Sequence, residues 1–158
     1  LPSGSRVKKG ETFEPLPDAE TEVKHLAQFF PPNRSRILIG ERANEQAFNS
    51  FALAASILHF ATHGTFDNRH PLYSFLLLAI AKDAANDDGL LEAREILNLK
   101  LDADLAVLSA CEIARGKIGA GEGVIGLSWA FFVAGCRSTL VTQWKAKSDL
   151  TADWMAGF

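Results

Sequence analysis

With 158 residues, 47% of them hydrophobic and 22% charged, and a formal net charge of −3, the chain is long enough for one full hydrophobic core and too short for two. That balance excludes intrinsic disorder and a general electrostatic grip on nucleic acid, and the longest apolar runs, Tyr73 to Ala81 and Gly123 to Cys136, fall short of a bilayer span. Two cysteines cannot build a secreted disulfide framework, nor a four-ligand zinc site without suitably spaced histidines, so a soluble protein of a reducing, cytoplasmic compartment is expected.

Residues 1–15 are rich in Gly, Pro, Ser and Lys and read as a flexible lead-in to a folded domain over 16–158. Asp18 is placed to cap a helix whose apolar positions Val23, Leu26, Ala27 and Phe30 recur at helical spacing, and Pro31-Pro32 ends it. Ile37 to Ile39 reads as a short strand closed by Gly40, after which Asn44 starts a second helix through Ala47, Phe48, Phe51, Leu53 and Ala54. Ile57 to Thr62 is a buried strand and Tyr73 to Ile80 a third apolar run. Asp87-Asp88-Gly89 marks a turn before Leu90-Leu91, which predicts a local hairpin. Ala93 to Leu99 reads as a short helix, Leu105 to Ala110 as a central strand, Val124 to Ala134 as an amphipathic helix, and Ser138 to Trp144 as a last strand. Alternating strands and helices predict a three-layer α/β sandwich around a mostly parallel sheet. The absence of an initial Met and the helical spacing of Leu150, Trp154 and Phe158 at the very end predict a fragment of a longer protein, truncated on both sides.

Two strand ends carry chemistry. Thr62-His63-Gly64 closes one buried run and Ser109-Ala110-Cys111-Glu112 closes another, delivering ionisable groups where open parallel sheets place their active sites. A cysteine attacks carbonyl carbon as its thiolate and needs a base or an electropositive neighbour to reach that state near neutral pH. His63 could supply it: it lies 48 positions ahead of Cys111, and a histidine about 50 residues upstream of the nucleophile is the caspase arrangement. The backbone N–H of Gly64, with no Cβ in the way, and that of Cys111 could form an oxyanion hole. His59, mid-strand on the face of His63 by alternation, reads as a structural group with a minor supporting role as the alternative, and Cys136 reads as packing. Gly121 to Gly126 matches G-x-G-x-x-G but lacks the preceding strand that a dinucleotide site requires, so a flexible loop beside the cysteine, with close helix packing at Gly126, is the preferred reading.

Several motifs in one order then carry a resemblance. Ile57-Leu58-His59-Phe60-Ala61-Thr62-His63-Gly64, Asp88-Gly89-Leu90-Leu91, Ile96-Leu97, Leu108-Ser109-Ala110-Cys111-Glu112, Gly121-Glu122-Gly123-Val124-Ile125-Gly126-Leu127 and Ala134-Gly135 through Trp144 together resemble the CHAT domain, over most of residues 16–158. This is the caspase-like domain commonly associated with tetratricopeptide repeats. The resemblance implies a caspase-like fold, a catalytic dyad carried over to His63 and Cys111, a protein substrate, and activation by a partner or signal. After Trp144 the family often shows Val and then an Asp/Ser-Asp pair lining the cleft, whereas this chain reads Lys145-Ala146-Lys147-Ser148-Asp149. Glu112, Gln143, Trp144 and Asp149 are the substrate-cleft candidates, with contact to helix N-termini the equal alternative for Glu112.

The expected function is a caspase-like cysteine endopeptidase working through His63 and Cys111 with neither metal nor organic cofactor. The alternative is a catalytically incomplete caspase-like signalling or interaction module; another thiol acyl-transfer enzyme, such as a thioesterase, is a third reading. Expected partners are a protein or peptide substrate and a tetratricopeptide-repeat region in the parent protein, with neither nucleic acid nor membrane contacted.

Overall fold

Among the described residues, apolar runs separated by turn signals form a five-stranded sheet with helices on both faces. The computed structural model describes residues 13, 15–67, 69–81, 87–115 and 122–141, of which 110–115 and 122–125 are described by backbone alone. In chain order the elements are α1 (Pro17–Leu26), α2 (Glu45–Phe51), β1 (Ile57–Asp67), β2 (Phe75–Leu77), β3 (Leu90–Glu92), α3 (Ala93–Ile96), β4 (Leu105–Arg115), α4 (Glu122–Ala134) and β5 (Thr139–Val141). The sheet order is β3-β2-β1-β4-β5. β1, β4 and β5 pair in parallel, while β2 runs antiparallel to both β1 and β3. Four of the five described strands therefore point the same way.

Local chemistry explains most of the boundaries. Asn44 caps α2 by accepting the Ala47 N–H at 2.9 Å. Asp87 Oδ1 accepts from the Gly89 N–H at 3.1 Å and Asp88 Oδ1 from the Leu90 N–H at 3.0 Å, a tight bend that φ +74° at Gly89 completes and that starts β3. The predicted hairpin follows, with Leu76 opposite Leu91. α4 ends on a paired cap: the Gly135 N–H bonds the Phe132 carbonyl at 3.0 Å and the Cys136 N–H bonds the Phe131 carbonyl at 2.9 Å, with Gly135 at φ +113°.

Three expectations are corrected. Pro17 takes the first helical position of α1, where its missing N–H is no loss, so Asp18 lies inside the first turn and Leu16 stands at the cap without a side-chain bond. Residues 37–39 are not a strand, because the pairing of this segment is made further on, as an isolated parallel bridge between Asn44 and Ala79 beyond the 3-10 turn Gly40–Arg42. α4 is not cleanly amphipathic: Leu127, Ala130, Phe131 and Ala134 are buried, yet Trp129, Phe132 and Val133 stand about half exposed.

The two faces of the β1–β4 pair differ in character. By alternation, Leu58, Phe60 and Phe66 of β1 share one face with Ala106 and Leu108 of β4. The main core lies there. Phe60 stacks against Phe48 of α2 with ring centroids 5.5 Å apart and against Phe131 of α4 at 5.7 Å. The other face carries His59, Ala61, His63 and Thr65 with Val107 and Ser109, and α1 lies over it.

Candidate active site

His63 is the seventh residue of β1 and Cys111 the seventh of β4, and the two are direct register partners. Neighbouring strands lie about 4.8 Å apart and register partners in a parallel pair share a face, so positions 63 and 111 form one rung of one face. The His63 side chain is half-buried, its ring 5.3 Å from that of Phe13, which precedes α1, at an interplanar angle of 43°.

The rung sits inside the ladder and not at its tip. The apolar runs predict strands ending at Thr62 and Ala110, whereas β1 and β4 stay paired as far as Asp67 and Arg115. Polar residues do not end β1 because partners exist on both sides: Gly64 lies opposite Leu76 of β2 and Glu112 of β4, and Thr65 opposite Phe75 and Ile113. Phe66, 1% exposed, anchors the extension in the core. Both the Gly64 and Cys111 positions thus belong to the sheet, and Glu112 is the neighbour of Gly64. Gln143, Trp144 and Asp149 lie outside the described residues.

Two surrounding expectations are met, the packing roles of Cys136 and Gly126. Cys136 is buried and donates its thiol to the Ser138 carbonyl at 3.1 Å, a packing role. Gly126 lies within α4 against the segment Pro71–Tyr73, where an added Cβ would come 2.7 Å from Pro71 Cβ. Asp67 closes β1 by accepting the N–H groups of Arg69 and His70 at 2.8 and 2.9 Å. Among the described residues, no group of three or more His, Cys, Asp or Glu side chains converges to hold a metal ion. No described helix is long and apolar enough to cross a membrane.

One residue beside the rung escapes sequence reasoning. Glu22 of α1, 5% exposed, takes the His59 Nε2–H on Oε1 at 2.7 Å and the Ser109 hydroxyl on Oε2 at 3.2 Å. Glu22 falls between the apolar positions of an otherwise ordinary helix, and its partners lie 37 and 87 residues away. The one sequence signal is His59 itself, a polar residue at mid-strand, where a largely covered imidazole needs a partner.

The CHAT domain family model matches residues 2–158. The chain belongs to the CHAT domain family. Tetratricopeptide repeat protein 28 of Mus musculus is 28% identical over 160 residues, covering 82% of this chain and 6% of that relative. The protein of the same name from Homo sapiens is 27% identical over 160 residues, with the same 82% and 6% coverage. This CHAT domain thus spans 6% of the length of the curated relatives it matches. Its sheet with helices on both faces is the caspase-like α/β architecture expected of the family.

Proposed function

We propose that this CHAT domain is a cysteine endopeptidase whose nucleophile is Cys111 and whose base is His63. The observation that carries the reading is the shared rung: two residues 48 positions apart in sequence are direct partners on adjacent parallel strands. In this reading the Cys111 thiol gives its proton to the His63 imidazole and the thiolate attacks the scissile carbonyl carbon. The resulting tetrahedral intermediate collapses as His63 hands the proton to the leaving amine. Water then hydrolyses the thioester and restores the thiol. Backbone N–H groups of Gly64 and Cys111 stabilise the oxyanion. Since Gly64 has ladder partners on both sides, that role requires the strands to part beyond the rung of His63 and Cys111 before chemistry. A partner or signal would supply that opening. The reading includes a protein substrate, a tetratricopeptide-repeat region elsewhere in the parent chain, and a reducing cytoplasmic setting that keeps Cys111 a free thiol.

The same continuous ladder favours a second reading, an interaction module in which the pair is present and the cleft never forms. Labelling with a thiol-reactive peptide electrophile separates the two. Selective modification of Cys111 over buried Cys136, lost in His63→Ala, is the expected result for the peptidase. Equal, slow labelling of Cys111 with and without His63 rejects the dyad.

A further inference from the structure

We propose that Glu22 is a positioning residue for the rung of His63 and Cys111, holding β1 through His59 and β4 through Ser109 so that the two strands keep the register on which those positions meet. The proposal rests on the dyad reading for its catalytic meaning and on geometry for its substance.

A buried carboxylate is a costly way to dock a helix. An apolar residue at position 22 would bury α1 against the sheet without that cost, so the carboxylate calls for another role. The best-attested use of such a buried polar group is to specify register. Here each carboxylate oxygen reads a different strand: Oε1 meets His59 on β1 and Oε2 meets Ser109 on β4. His59 pairs with Val107 and Ser109 pairs with Ala61, so Glu22 spans two successive rungs of one face, and the next rung on that face is His63 and Cys111. Along the strands, Ser109 precedes Cys111 by about 7 Å and His59 precedes His63 by about 13 Å.

Register is what this site cannot lose. A slip of one residue puts His63 opposite Ala110 or Glu112 and turns position 111 to the other face; a slip of two puts it opposite Ser109 or Ile113. Apolar packing resists the one-residue slip, which would move a whole hydrophobic set. It resists the two-residue slip weakly, because each face keeps its character. A single carboxylate bonded to both strands resists both, since either slip displaces Ser109 along β4 relative to His59 by about 3 to 7 Å. The same segment reaches the site a second time: Phe13, ahead of α1, lies against the His63 ring and confines the imidazole.

The test uses Glu22→Leu, Glu22→Gln and Ser109→Ala in the 158-residue chain, with Leu26→Ala as a control for helix docking. Three quantities are read: the thermal midpoint, the rate of Cys111 labelling by the peptide electrophile against Cys136, and the His63 ring signals in imidazole-edited NMR spectra. Glu22→Leu is expected to keep a cooperative transition, to shift the His63 ring signals, and to slow Cys111 labelling at least about tenfold. Glu22→Gln, which keeps the shape and one carbonyl acceptor, is expected to fall between wild type and Leu. Leu26→Ala is expected to lower the midpoint and leave the ring signals in place. Unchanged His63 signals in Glu22→Leu and Ser109→Ala overturn the proposal, as does a Leu26→Ala shift as large as that of Glu22→Leu. If Glu22→Leu fails to fold, the Gln and Ala variants decide by the same readouts. Wild-type labelling that ignores His63 removes the dyad reading alone, because the ring signals still report whether Glu22 positions His63.

Discussion

Removing the charge at Glu45 is expected to stabilise the protein at alkaline pH and to do little in acid. Glu45 is the first residue of α2 and is buried, and its Oε1 meets no hydrogen-bond partner among the described residues. A carboxylate at a helix N-terminus ordinarily gains about 0.3–1 kcal/mol from the peptide dipoles, and a Gly89 N–H also favours its charged form. Burial outweighs both, and with the Glu95, Asp87 and Asp88 carboxylates adding repulsion the group is pushed up from 4.5 to about 7. Because the folded state holds this proton more tightly than the unfolded one, the stabilisation is full below pH 4.5 and is lost as pH rises through about 7. At about 1.4 kcal/mol per pH unit, the interval from 4.5 to 7 sets a ceiling of about 3 kcal/mol on that loss. Glu45→Gln keeps the volume and an acceptor and has no proton to lose. Its stability relative to wild type should therefore rise by up to about 3 kcal/mol between pH 4.5 and pH 8, a differential in thermal midpoint of roughly 6–12 °C for a chain of this size. Differential scanning fluorimetry of both proteins across that range is the assay. A midpoint difference that stays constant with pH would refute the account, and one that grows as pH falls would reverse its sign.

Two further perturbations probe the packing that holds the sheet. Gly135→Ala should cost about 2 kcal/mol or more by chemical denaturation, because φ is +113° and the new Cβ would lie 2.2 Å from the Leu101 carbonyl oxygen; a loss below about 0.5 kcal/mol would mean that the α4 cap is not fixed as described. Phe131→Ala, at a fully buried position against Phe60, should cost about 3–5 kcal/mol, while Phe132→Ala on the same helix, 47% exposed, should cost under about 1 kcal/mol. Equal losses from the two would show that α4 presents a different face to the sheet.

How much was legible in the sequence followed how local the cause was. The Asn44 cap, the Asp87-Asp88-Gly89 turn and the hairpin it closes depend on groups within a few residues, and each was readable. The short strand expected at Ile37 to Ile39 looked equally local, but a strand needs a neighbour, and the pairing available went to Asn44 and Ala79. The polar stretch from His63 to Thr65 looked like a strand end for the opposite reason. Its pattern is weak, and it stays extended because β2 and β4 supply partners on both sides. Glu22 was invisible as a site residue because neither of its partners is near it in the chain.

The sequence by itself determined the family and singled out His63 and Cys111, since their flanking residues and order form a local, readable pattern. Their meeting on one rung was decided only in three dimensions. Register between strands 48 residues apart is set by what packs across both of them, here the apolar face beneath α4 and the Glu22 carboxylate above, and no local pattern records that sum.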